Sequence, residues 1–127
     1  RKPISQHAKF LDLNSILDLS HETRVSCIYT GDADLNQVKL DKLFFKYWHY
    51  VGIIQIPHHG SYDNFDLSLK YQRNIVFPVS YGLTNTYGHP SIDLINKIEN
   101  ALGHVYEITE DKSSALEQTI ELRPPNK

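Results

Sequence analysis

The stretch Ile53-Ile54-Gln55-Ile56-Pro57-His58-His59-Gly60-Ser61 constrains the fold more than any other part of the chain. An apolar, β-branched run reads as a buried strand, and it breaks abruptly at a proline into two imidazoles, a glycine and a hydroxyl. Such a strand delivers its polar end to a sheet edge. Adjacent histidines on a loop cannot share one orientation, so the pair can supply one metal ligand or base and one supporting donor. Taken alone, the pair reads equally well as a solvated loop.

The same construction occurs twice more. Arg24 to Tyr29 alternates as a strand and runs into Thr30-Gly31-Asp32, where glycine permits a sharp turn and leaves an aspartate at the strand end. Asn74 to Val79 opens into Ser80-Tyr81-Gly82-Leu83-Thr84-Asn85-Thr86-Tyr87-Gly88-His89-Pro90, which is long for a plain connection. Between these strands, Leu35 to Trp48 gathers Leu35, Val38, Leu43, Phe44, Tyr47 and Trp48 on one side at helical spacing, with Asp34 as its N-cap. A shorter helix, capped by Asp63 or Asn64, is predicted from about Phe65 to Tyr71. Strand, helix, strand, helix, strand is the order that builds parallel neighbours through right-handed crossovers. The carboxyl ends of such strands share one edge, where open α/β sheets hold their ligands. Three polar motifs therefore converge without further assumption.

The remaining chain completes an α/β domain. Residues 1–14 read as an irregular lead-in, anchored weakly by Phe10 and Leu11. Ile16 to Leu19 and Arg24 to Tyr29 read as a hairpin, with His21 in its turn. Ser91 caps an amphipathic helix to about Leu102, closed by Gly103. His104 to Ile108 and Leu116 to Leu122 alternate as strands around a charged turn at Asp111 and Lys112, and Pro124-Pro125 ends the fold. At 127 residues the chain is one domain or part of one. It opens at Arg1 and contains no methionine, so it reads as a piece of a longer protein.

Thirteen basic against fifteen acidic side chains give a net charge of −2, so charge does not indicate nucleic acid as a partner. Lys39, Lys42 and Lys46 are the only clustered bases, and a solvated helix face explains them. No apolar run approaches membrane-spanning length and no signal peptide is visible, which leaves the expected compartment cytoplasmic or unassigned. The single cysteine, Cys27, lies in a strand pattern and reads as a small core residue.

Aspartate and histidine at one sheet edge form the ligand set of zinc or manganese hydrolases, in which a carboxylate bridges metals and imidazoles fill other positions. The same set also serves as a general base with its orienting carboxylate. The plainer alternatives are turn chemistry for Asp32 and a backbone-tied loop residue for His89.

Thr30-Gly31-Asp32, Ile56 to Ser61, Asn85 to Pro90 and Gly103-His104-Val105-Tyr106, in that order, resemble the C-terminal half of a metallo-β-lactamase-fold hydrolase. The likeness spans about residues 14–122 and is nearest to the soluble hydrolase-like domain of ComEC-type competence proteins and its free-standing relatives. It implies a four-layer αββα sandwich, of which this chain supplies one sheet and its outer helices. By resemblance Asp32 is the metal-bridging aspartate, His59 a metal ligand, and His58 the imidazole aimed at the scissile phosphate or ester. Asn85, Tyr87 and His89 match the substrate side of the site, Ser61 is a structural hydroxyl, and the cofactor is a two-metal zinc or manganese centre. The family's His-x-His-x-Asp-His motif does not occur in this chain. The resemblance then implies a missing N-terminal half as partner and an isolated chain without activity. It also implies a bared sheet face able to pair with that half or with a second copy. Two functions are expected from this: part of a metal-dependent hydrolase cutting a phosphodiester or other ester, or a metal-free, hydrolase-derived binding or structural module.

Overall fold

A computed structural model describes residues 5–12, 16–19, 24–67, 75–101 and 103–123. Two sheets organise them. Strands β3 (Ser26–Ile28), β4 (Val51–Ile54), β5 (Ile75–Ser80) and β6 (Gly103–Ile108) form a sheet in the order β3-β4-β5-β6, parallel throughout. Strands β1 (Ser5–Asp12), β2 (Ile16–Leu19) and β7 (Leu116–Arg123) form an antiparallel sheet in the order β2-β1-β7. The fold is α/β, as the alternation of strand and helix signals predicts.

The parallel sheet is apolar on both faces, as central parallel strands must be. All four residues of β4 are buried, and in β5 only Pro78 and Ser80 are not. Successive side chains point to opposite faces, so Ile54, Ile75, Phe77 and Val79 enter the main core while Ile53 and Val76 face the other way. Helix α2 (Ile92–Ala101) covers the main core with Leu94 and Ile98, four residues apart and both fully buried. Burying each of them stabilises the fold by roughly 2–3 kcal/mol. Ser91 caps α2 as expected, its Oγ accepting from the Leu94 amide at 3.4 Å. On the opposite face, Ile53 and Val76 meet Val25, Cys27, Tyr106 and Leu116 in a smaller cluster. Beside it lies a cleft of about 310 Å³ whose walls include Gln55, Ser80 and Gln118. Cys27 is half-buried there with a free thiol, and burial pushes its pKa up against an opposing hydrogen bond from Tyr29.

Gly52 is an inserted residue of β4. Ser26 pairs with Val51 and Cys27 with Ile53, so Gly52 bulges between them. A Cβ at this position would lie 2.0 Å from the Arg24 carbonyl oxygen, which only glycine tolerates.

Three expectations are corrected. Residues 1–14 are not wholly irregular: β1 occupies Ser5–Asp12 and pairs with β7 from Ser5↔Arg123 to Asp12↔Leu116, a partner that no local pattern announces. The hairpin between Ile16–Leu19 and the following strand does not form, because β2 pairs with β1 while β3 joins the parallel sheet. The charged turn at Asp111 joins β6 to β7 as expected, capped by Asp111, which accepts from the Ser113 amide at 2.9 Å, and the two strands belong to different sheets. The helix expected over Leu35 to Trp48 shrinks to α1 (Leu40–Leu43), followed by turns and a 3₁₀ turn at Trp48–Tyr50. Lys39 is extended there, and its Nζ sits 2.6 Å from the buried Asp66 carboxylate, a tertiary tether that overrides the weak helix propensity of the aromatic residues following. Leu35 and Leu40 are buried, but Leu43 and Tyr47 stand in solvent. The body of the short helix expected after Phe65, the turn around His21 and the terminal prolines lie outside the described residues.

Candidate functional site

Each polar motif leaves the carboxyl end of a parallel strand, so the sheet itself assembles the site. After β3, the chain turns at Gly31 (φ 54°) and presents Asp32, whose side chain is 80% exposed. After β4, Pro57 directs it into His58-His59-Gly60. After β5, the loop over 81–90 folds back across that turn.

The His58-His59-Gly60 turn has three consecutive residues in the left-handed region, at φ 48°, 52° and 88°. For residues with a Cβ this conformation costs about 1–2 kcal/mol each, and such strain collects at functional sites. Its effect is to send the two rings to different partners. His58 Nδ1 lies 3.9 Å from Asp32 Oδ1, while the His58 amide donates to the Gly31 carbonyl at 3.2 Å. His59 Nδ1 lies 2.7 Å from the Ser80 carbonyl oxygen, to which it donates in the matching tautomer, leaving Nε2 as the outward nitrogen. The imidazole beside Asp32 is thus that of His58, whereas His59 is tied to the end of β5.

Gly60 joins this turn to the third loop. A Cβ there would sit 2.4 Å from Pro90 Cβ and 3.1 Å from Val79 Cγ2, and the Gly60 carbonyl accepts from the Ser91 amide at 2.9 Å. The peptide between His89 and Pro90 is cis. Asn85 holds the loop closed: its Nδ2 donates to the carbonyls of Gly82 at 2.7 Å and His89 at 2.8 Å, and its Oδ1 accepts from the Tyr87 amide at 3.3 Å. Both amide hydrogens of Asn85 are therefore engaged within the loop. Tyr87 is 82% exposed, and His89 carries a buried Nδ1 with no hydrogen-bond partner. Glu110, after β6, accepts from the Leu83 amide at 3.1 Å; this bond, followed by one from its own amide, holds the carboxyl below its ordinary range. Tyr81 donates to Glu107 at 3.1 Å, and partial burial followed by that carboxylate pushes the phenol up.

Gln55 and Glu110 are site-building residues that sequence reading misses. The one available signal for Gln55 is that it is the sole polar residue in the run from Ile53 to Ile56.

A zinc or manganese site needs three or four protein donors, or three with an open position. The 3.9 Å between Asp32 Oδ1 and His58 Nδ1 is wider than the roughly 3.3 Å that two ligands at about 2.0–2.1 Å keep in a tetrahedral zinc site. Among the described residues no group of three or more His, Cys, Asp or Glu side chains is placed to hold a metal ion. These residues alone do not complete such a centre. Of the lysine cluster, Lys39 is paired with Asp66, while Lys42 and Lys46 are exposed. Among the described residues no helix is long and apolar enough to cross a membrane. Comparison with family models, curated proteins and solved structures returns no match for this chain.

Proposed function

We propose that the edge carrying Asp32, His58 and His59 is one wall of a hydrolytic centre acting on a phosphodiester or other ester, and that the chain is the C-terminal half of a metallo-β-lactamase-type αββα sandwich. The observation that carries this reading is the Asp32–His58 contact at 3.9 Å on a turn with two left-handed histidines. A carboxylate facing Nδ1 orients the ring and leaves Nε2 for a water or a substrate oxygen, the arrangement a general base requires. His59 supports the metal-dependent form of the reading: metal-binding imidazoles commonly donate their second nitrogen to a backbone carbonyl, as His59 does to Ser80. Zinc or manganese would draw on Asp32 and a histidine here and on further donors beyond the described residues. In this reading the other half of the sandwich packs beside β7, whose Leu116 and Gln118 already wall the 310 Å³ cleft on the second face of the parallel sheet.

A second reading, a metal-free binding or structural module, is favoured by one observation, the lack of a three-donor group among the described residues. Hydrolysis of an activated phosphodiester and an activated carboxylic ester by the full-length protein separates the two. The hydrolytic reading expects turnover that falls by about 10²–10⁴-fold in Asp32→Asn and in His58→Ala, the range for losing an acid–base group. No turnover with zinc, with manganese or without added metal would leave the binding module.

A further inference from the structure

We propose that Gln55 is a positioning residue: its side chain replaces the sheet ladder beyond the last β3–β4 pair and thereby fixes Asp32 against His58. The regular pairing of these strands ends at Ile28↔Ile54. One further ladder bond follows, from the Gln55 amide to the Ile28 carbonyl at 3.0 Å. Past that point the β3 chain must leave the sheet to turn at Gly31, and its next amides lose their backbone acceptors. Gln55 Oε1 takes both, accepting from the Thr30 and Gly31 amides at 3.1 Å each. The Thr30 hydroxyl answers by donating to the Gln55 carbonyl at 2.9 Å.

Gly31 is consequently held at both of its backbone polar groups by one short segment. Its amide goes to Gln55 Oε1, and its carbonyl receives the His58 amide at 3.2 Å. The residue after Gly31 is Asp32 and the residue receiving Asp32 is His58, so the segment from Gln55 to His58 sets both sides of the pair. The Asp32 side chain itself is 80% exposed, so its place depends on the turn beneath it. The acceptor at position 55 acts on the turn that carries this carboxylate together with two backbone bonds, the His58 amide to the Gly31 carbonyl at 3.2 Å and the Ala33 amide to the Thr30 carbonyl at 3.0 Å. A shorter or apolar side chain removes that acceptor, whereas glutamate retains it in carboxylate form.

The importance of this clamp for chemistry rests on the hydrolytic reading above, but its existence is tested without metal or substrate. In the isotope-labelled chain, NMR follows the Thr30 and Gly31 amides and the His58 ring. Gln55→Leu is expected to speed exchange of both amides by about tenfold, the equivalent of one lost hydrogen bond, and Gln55→Glu to restore their protection. The decisive readout is a double substitution. Asp32→Asn should move the His58 ring resonances in the parent and in the Gln55→Glu protein. In the Gln55→Leu protein the same change should move them little, because the carboxylate no longer stands beside the ring. Unchanged exchange at Thr30 and Gly31 in Gln55→Leu, or an Asp32→Asn effect on His58 that is the same with leucine at 55, overturns the proposal. If Asp32→Asn leaves His58 unmoved in the parent, the Asp32–His58 pairing fails and the positioning role falls with it, while protected amides would still identify the clamp. If both NMR results hold but the full-length protein hydrolyses nothing, the clamp stands and the hydrolytic reading is the part that fails.

Discussion

His58 and His59 both occupy backbone conformations that suit glycine, and the turn has no third option because Gly60 is left-handed as well. At either histidine a glycine variant should therefore be more stable than the corresponding alanine variant by about 1 kcal/mol in urea denaturation, the reverse of the order in a helix or strand. Equal stabilities would remove the strain from the account. Gly60→Ala forces a Cβ to within 2.4 Å of Pro90 Cβ at a φ of 88°, so it should cost about 3 kcal/mol by the same measurement. The sequence makes the residue types of this turn legible, since a strand ending in Pro-His-His-Gly has few uses. It does not reveal which imidazole meets Asp32. That depends on two φ angles, and the structure pairs Asp32 with His58 while His59 turns to Ser80.

At the scale of elements, β4, β5 and α2 are readable because each buries a regular pattern: nearly continuous for the two strands, every fourth residue for α2. Leu94→Ala and Ile98→Ala should each lower stability by about 3 kcal/mol, since both side chains are fully enclosed by the main core. The pattern over Leu35 to Trp48 yields only a short helix for a physical reason: its apolar stripe belongs partly to the core and partly to the surface, and the Lys39–Asp66 contact fixes an extended residue inside the expected span. The third loop depends on Glu110, whose carboxyl is held below its usual range by the Leu83 amide. A depressed folded pKa means that this contact contributes above the usual carboxylate range and is lost as pH falls through the folded value. The Leu83 amide resonance should accordingly shift as acidification passes below the ordinary carboxylate range, and Glu110→Gln should abolish that step. A Leu83 titration indifferent to Glu110 would contradict the contact.

Across the whole molecule, the parallel sheet follows from the order of its parts, because right-handed crossovers leave few other ways to arrange three strand ends. The antiparallel sheet was hidden because β1 pairs with β7 across almost the full length of the chain, Ser5 opposite Arg123. Long-range pairing of this kind leaves no local signature. The consequence for function is that one sheet edge gathers Asp32, His58, His59 and the loop of His89, while the second face of the sheet carries a small apolar cluster and a cleft shared with β7. The metal-dependent form of the hydrolytic centre proposed at that edge is tested by elemental analysis of zinc and manganese in the full-length protein, beside Asp32→Asn and His59→Ala variants. The account predicts bound metal that falls sharply in both variants. Protein that stays metal-free after supplementation with either ion, or metal that is indifferent to Asp32 and His59, would contradict it.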